Sequence, residues 1–280
     1  MTSGTEMIRI DDLEDPRLED YRDIRDRDLM GTGGRRGLFI GEATLVVEVM
    51  LSFKGMTRSV LVSEQQADRL AAMIADSTSP DTPLYVASSA LIESVAGFDI
   101  HRGVLACGNR PDNSDQSLKK IIPDQTRSAT VLICEKINNI DNIGMLFRNA
   151  AAFGVDAVVL SPDCHDPLYR KSLRVSIGHA LRVPFHQSSD WLKTLDELRD
   201  GHAIELIGTS LDPNAQTLEE LTPPKRVGLV VGSEFSGISR DTITRCHYLA
   251  RIPMAPGTDS LNVGVAAAVC LHRFSQTERP

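Results

Sequence analysis

Three polar groupings stand where an apolar run gives way to a turn. In "NNIDNIGMLFRNA", Asn142 sits at a helix start and Arg148 lies further along the helix. In "VGLVVGSEFSGIS", a buried-strand pattern ends at Gly232, and Glu234 follows in a turn closed by Gly237. In "IPMAPGTDSLNVGVAAAV", a proline-glycine turn leads to Asp259, Ser260 and Asn262, ahead of a helix of small residues. Amide, guanidinium, carboxylate and hydroxyl groups thus collect beyond strand ends, where open parallel sheets bind ligands. Each group also has an ordinary use. Arg148 falls opposite the apolar face made by Ile143, Leu146, Phe147, Ala150 and Phe153, so solvation alone accounts for it. Glu234 is either a helix cap or a functional anion, and Ser236 or Ser239 can take the cap in its place. Ser260 or Asp259 can cap the last helix. That leaves Asn262 unexplained, since Asn is a poor helix former.

Several chemistries lack their signature. There is no G-x-x-x-x-G-K-[ST] loop for a nucleoside triphosphate. The strand before "NNIDN" is not followed by G-x-G-x-x-G, which disfavours a dinucleotide fold and the common methyltransferase built on it. No G-x-S-x-G is present, so Ser260 is not an elbow nucleophile. No His/Cys cluster has metal-ligand spacing, and no metal is expected. "GTGGRRG" follows no strand and reads as a flexible loop carrying Arg35 and Arg36.

The elements that must position these groups fall into two α/β units. The first has β-rich runs "SVLVSE", "PLYVAS" and "GVLACG", alternating with helical patterns over 42–52, 65–75 and 89–96. Residues 1–20 read as a mobile acidic tail, 21–108 as the first domain, 109–127 as a linker rich in Pro, Asn, Asp and Ser, and 128–280 as the second domain. In the second, "ATVLICEKI" is a buried strand, Asn142 the N-cap of a helix over 143–153 ended by Gly154, and "DAVVLS" the next strand. That βαβ unit implies parallel pairing. Then come a helix in "DWLKTLDELRD", strands in "IELIGT", "RVGLVVG" and "YLARIPM", and a closing helix over 262–274.

Composition sets the remaining bounds. The 280 residues are 41% hydrophobic, enough for two cores. No apolar run approaches the ~20 residues a membrane span needs. The acidic N-terminus lacks an apolar h-region, so no secretory signal is expected. The five cysteines form no C-x-x-C pair and read as reduced, buried thiols of a cytoplasmic protein. A formal net charge of −8 argues against nucleic-acid binding as a whole-chain property. Local runs decide, however, and "PLYRKSLRVSIGHALRVPFHQ" carries Arg170, Lys171, Arg174 and Arg182 with no acid.

Taken together, the three loops resemble the SpoU/TrmH branch of the SPOUT RNA methyltransferases. The carriers are "NIDNIGMLFRNAAAFGVDAVVLSP", "GLVVGSEFSGIS" and "IPMAPGTDSLNVGVAAA", in the family's order and spacing, with "LRVSIGHALRVP" between the first two. The likeness covers residues 130–272. "RRGLFIGEATLVVEVM" and "RSVLVSE" resemble the small substrate-binding domain of many members, itself similar to kink-turn-binding ribosomal proteins. The resemblance implies a trefoil-knotted α/β domain, S-adenosylmethionine as methyl donor, a homodimer, and methylation of a ribose 2′-hydroxyl in RNA. The extra domain leans toward 23S ribosomal RNA over transfer RNA; a non-catalytic ribosome-assembly factor is the rival. By motif match, Thr209, Ser210, Gly232, Ile252, Met254 and Leu261 take donor-binding positions. Arg148, Asn142, Glu234, Ser260 and Asn262 take catalytic ones, with Glu234 either anchoring Arg148 or accepting the proton. Arg35, Arg36, Arg170, Lys171, Arg174 and Arg182 would contact RNA. The sequence departs from the family at Phe235, where a glycine is common, and at Pro256, where the family glycine stands one place ahead of Gly257.

Overall fold

The computed structural model describes residues 5–24, 37–100, 103–111, 116–233 and 235–274. They divide into two compact units. One takes Met1–Pro111 together with Asp166–Arg182, the other Asp112–His165 with Val183–Pro280.

The first unit is built on β1 (Met7–Arg9), β2 (Leu38–Glu42), β3 (Thr57–Ser63), β4 (Leu84–Ala87) and β5 (Val104–Asn109), ordered β1-β4-β3-β5-β2. β4 pairs parallel with β1 and β3, whereas β5 pairs antiparallel with β2 and β3. Helices α1 (Thr44–Leu51), α2 (Ala67–Ala75) and α3 (Ser89–Ala96) cover the sheet. α3 has both of its ends specified by sequence. Ser88 caps it by accepting from Leu91 N at 3.2 Å, and Gly97 leaves it at φ 79°, a left-handed conformation that glycine adopts without Cβ strain.

The expectation of a mobile tail over 1–20 is corrected here. Met7–Arg9 adds a strand to β4, and Leu18 and Tyr21 of the 3₁₀ turn Pro16–Tyr21 are fully buried in the core with Ile10, Ile92 and Leu105. The acidic residues masked an alternating apolar set that has a sheet edge to pack on. Tyr21 ties this segment inward. Its hydroxyl lies 2.8 Å from Ser59 Oγ and accepts from Cys107 N at 3.3 Å, and burial pushes its pKa well above the usual value.

The second unit holds seven strands: β6 (Ala129–Cys134), β7 (Ala157–Leu160), β8 (Phe185–Gln187), β9 (Glu205–Thr209), β10 (Gln216–Thr217), β11 (Arg226–Val231) and β12 (Tyr248–Arg251). Their order is β10-β12-β9-β11-β6-β7-β8, and every adjacent pair is parallel. The helices are α4 (Leu118–Ile121), α5 (Ile140–Ala152), α6 (Arg170–Val175, which belongs to the first unit), α7 (Trp191–Asp196), α8 (Arg240–Ile243) and α9 (Val263–Phe274). The mostly apolar, two-sided burial of β6, β7 and β11 is what a sheet covered on both faces requires. Part of the expected linker over 109–127 is structural. Leu118 and Ile122 sit in the core with Val131, Leu198 and Ile204, an apolar pair too sparse to show a period.

All five cysteines are free, and four are buried; burial lifts the thiol pKa of Cys246 and Cys270 to about 12. Among the described residues no helix is long and apolar enough to cross a membrane.

Candidate active site

The parallel sheet brings the carboxyl ends of β9, β11 and β12 side by side, and their loops enclose a cavity of about 510 Å³. Each of the six residues assigned to donor binding lines it: Thr209 and Ser210 after β9, Gly232 after β11, Ile252 and Met254 after β12, and Leu261 before α9. Ser260 and Asn262 line it as well. Ser210 N donates to Ala250 O at 2.8 Å, which holds the β9 and β12 exits together. Thr209 Oγ1 donates to Val230 O at 3.2 Å, which joins β9 to β11.

The β11 exit explains its two glycines. A Cβ on Gly232 would lie 2.2 Å from the carbonyl carbon of Gly237 and 2.4 Å from Ile238 N, so the turn closes only over a hydrogen atom. Gly237 sits at φ 62°, and its N–H donates to Ser233 O at 2.9 Å. Glu234 lies outside the described residues.

α5 begins earlier than the sequence pattern implies. Asn139, not Asn142, is the N-cap: its backbone is extended, and its Oδ1 accepts from the N–H of Asp141 and Asn142 at 2.9 and 3.2 Å. Two asparagines compete for one cap. The one preceding Asp141 wins because a carboxylate in the first turn favours the helix N-terminus. Asn142 is thereby buried inside the helix, and its Oδ1 accepts from Asn262 Nδ2 at 2.9 Å. Asn262 in turn caps α9, its Oδ1 accepting from Gly264 N at 2.9 Å and Val265 N at 3.4 Å. The capping role assigned to Ser260 or Asp259 therefore belongs to Asn262, and Ser260 is exposed at the cavity.

A residue that the motifs did not flag completes this seam. Asn149, seven residues after Asn142 and so on the same helix face, donates through Nδ2 to Gly264 O at 2.7 Å. Between the two, Met145 packs on Gly264, where a Cβ would lie 2.9 Å from its Cε. The seven-residue spacing of the two asparagines is the signal that could have found it. Arg148 is exposed on α5 and makes no hydrogen bond or ion pair with the described residues.

The basic run separates into two kinds of residue. Arg170 and Arg174 both donate to the carboxylate of Glu42, which is fully buried at the end of β2; the Arg174 bond is 2.8 Å. The Arg170 guanidinium also lies 4.0 Å over the Phe98 ring. Lys171 is half-buried, whereas Arg182 is exposed. Arg35 and Arg36 lie outside the described residues. Among the described residues no group of His, Cys, Asp and Glu could hold a metal ion.

A model of the SpoU rRNA Methylase family matches residues 129–272. An uncharacterized tRNA/rRNA methyltransferase of Mycobacterium tuberculosis is 36% identical over 280 residues, covering 98% of this chain and 93% of that one. The 23S rRNA (guanosine-2′-O-)-methyltransferase RlmB of Coxiella burnetii is 33% identical over 186 residues, covering 64% of this chain and 72% of its own. Among solved structures, the SpoU methyltransferase AviRb of Streptomyces viridochromogenes, in complex with AdoMet, superposes with a TM-score of 0.74 at 20% identity, covering 94% of this chain and 98% of that chain.

Proposed function

From the premise that this chain belongs to the SpoU rRNA methylase family, we propose that it transfers a methyl group from S-adenosylmethionine to a ribose 2′-hydroxyl of 23S ribosomal RNA. The observation that carries the reading is the cavity at the ends of β9, β11 and β12. Its volume falls within the roughly 300–1,000 Å³ of small-molecule sites.

The lining fits the donor chemically. Ile238, Ile252, Met254 and Leu261 offer apolar surface, and the strand-end backbone offers amide and carbonyl groups for an adenine edge. None of the described lining residues carries a charge, so no described cation opposes a sulfonium. When bound, the donor supplies an electrophilic methyl group. The chain's residues do the rest. Asn142 and Asn262, bonded to each other, fix the starts of α5 and α9 and thereby the cavity wall at Leu261 and Ser260.

Arg148 stabilises the negative charge that develops on the ribose oxygen. A guanidinium keeps its proton in proteins, so Arg148 acts as a fixed cation and not as a base. Glu234 either receives the hydroxyl proton or anchors Arg148; a Glu234→Gln variant whose rate loses its acid limb assigns it the proton. Arg148 is absent from the lining of its own chain's cavity, and a second copy of the chain brings it there. Val265 and Val269, exposed four residues apart on α9, give that homodimer an apolar contact strip. The segment after β12 re-enters the domain as a trefoil knot, a reading supported by its lining the same cavity as the β11 turn.

The first unit serves as the RNA-binding domain, in the manner of kink-turn-binding proteins. Since Glu42 engages Arg170 and Arg174, the phosphate-contact role falls first to Arg182. The protein works in the cytoplasm, where ribosomal RNA is assembled.

Purified protein, labelled donor and 23S or transfer RNA transcripts test the reading. Methyl incorporation into the 2′-position of 23S RNA is the expected result. Incorporation only into transfer RNA changes the substrate, and RNA binding without donor binding makes the chain an assembly factor.

A further inference from the structure

Two carboxylates are buried in the described structure, Glu42 and Glu135, and Glu135 is only 1% exposed. It follows directly on β6, the central strand of the second sheet's run β11-β6-β7. Unlike Glu42, it makes no ion pair with the described residues; its carboxylate Oε2 accepts the backbone N–H of Ser239 at 3.0 Å. Its own N–H donates to Val231 O at 2.9 Å. The two bonds grip the chain on either side of one turn, 232–238. That turn supplies Gly232, Ser233, Gly237 and Ile238 to the cavity wall. Within the turn the described hydrogen bonds are local, such as Ser236 N to Ser233 Oγ at 3.2 Å, and Ile238 at its far end packs into the core with Leu206 and Val230. Beyond it, Ser239 Oγ accepts from Thr242 N at 3.3 Å, and Thr242 Oγ1 accepts from Trp191 Nε1 at 2.9 Å, so the far anchor is itself held.

A buried carboxylate without a cation is costly to keep, and a backbone N–H is the partner that offsets part of that cost. We propose that Glu135 is a positioning residue for donor binding: it bookends the 232–238 turn and holds that wall of the cavity at its working distance from the β9 and β12 exits. This rests on the donor-binding reading above. Glu135 touches neither donor nor RNA in this role; it acts through the turn.

The test is isothermal titration of the full-length protein with S-adenosylmethionine, well below the melting temperature of each variant. Glu135→Ala should weaken donor binding on the order of tenfold, the effect of one lost charge-assisted hydrogen bond. Glu135→Gln keeps an acceptor oxygen and should stay within about threefold of wild type. In turnover, the Ala variant should raise the donor KM more than it lowers kcat at saturating donor. Should Glu135→Ala fail to fold, Ser239→Pro removes the same N–H at a φ of −66° that proline adopts, and Ser239→Ala controls for the lost cap. Ser239→Pro should bind donor about tenfold more weakly than Ser239→Ala. Wild-type affinity in a folded Glu135→Ala, or in Ser239→Pro relative to Ser239→Ala, overturns the inference while the proposed function stands. A wild-type protein that takes up no donor removes both.

Discussion

Glu42 and Glu135 are both buried carboxylates at strand ends, and they serve opposite purposes. Glu42 meets two guanidiniums from α6, one of them stacked on Phe98, in a pairing of charges that needs no ligand to complete it. Glu135 meets a single backbone N–H at the edge of a turn that lines a cavity. The first arrangement is closed and structural. The second holds its loop through one carboxylate hydrogen bond on the far side, where the Glu42 cluster has two ion pairs, and sites that must admit and release a ligand are drawn from the less firmly held segments.

The comparison breaks most visibly at Glu42. Glu42→Ala removes the buried carboxylate that Arg170, 13% exposed, and Arg174 share, and loss of one member of a buried pair costs about 3–5 kcal/mol, toward the lower end here because Arg174 is 38% exposed. Equilibrium urea unfolding checks this; a loss below about 1 kcal/mol would put the cluster among surface pairs. The folded fraction should still bind donor normally, whereas Glu135→Ala should show the reverse pattern.

Arg148→Ala sharpens the contrast on the catalytic side. Methyl transfer should fall ~10²–10³-fold, with donor affinity unchanged. Wild-type turnover in that variant removes Arg148 from the reaction.

Asn262→Ala deletes both the α9 cap and the link to Asn142, a loss of about 1–2 kcal/mol in stability. Because those bonds frame the cavity, donor binding should weaken too; a variant that loses stability but keeps full affinity would reduce Asn262 to a cap.

The smallest effect is set by pH. Tyr21 is buried in the first unit with its pKa raised above the ordinary 10.0, chiefly by desolvation. The folded state then keeps a proton that the unfolded chain loses. Its stabilising share is whole below pH 10 and declines as pH rises from there through the folded value. Tyr21→Phe should flatten that alkaline decline in thermal melts, and an unchanged slope would assign the decline to another group.

Much of the second unit was legible because its signals are local. Apolar runs mark β6, β7 and β11, and glycines mark a turn that closes by backbone contact. The six positions that the resemblance assigns to the donor all line one cavity. Three features were hidden. β1, β8 and β10 are two or three residues long, too short to show alternation. Asn139 and Asn142 carry the same capping amide, and the one that does not cap pairs with Asn262, 120 residues further along the chain. The acid-free run 167–187 reads as an anion-facing surface, yet Glu42, more than a hundred residues away in sequence, engages two of its arginines.

The sequence by itself determined the parallel α/β class, the strand-end loops and the residue types they carry. Periodicity, glycine placement and capping chemistry act over a few residues and leave a local trace. Only the tertiary structure decided which polar groups hold one another: Asn142 with Asn262, Asn149 with Gly264, Glu42 with its arginines and Glu135 with Ser239. Those pairings join residues far apart along the chain. Their strength comes from burial, which no stretch of sequence displays until the sheet has closed around it.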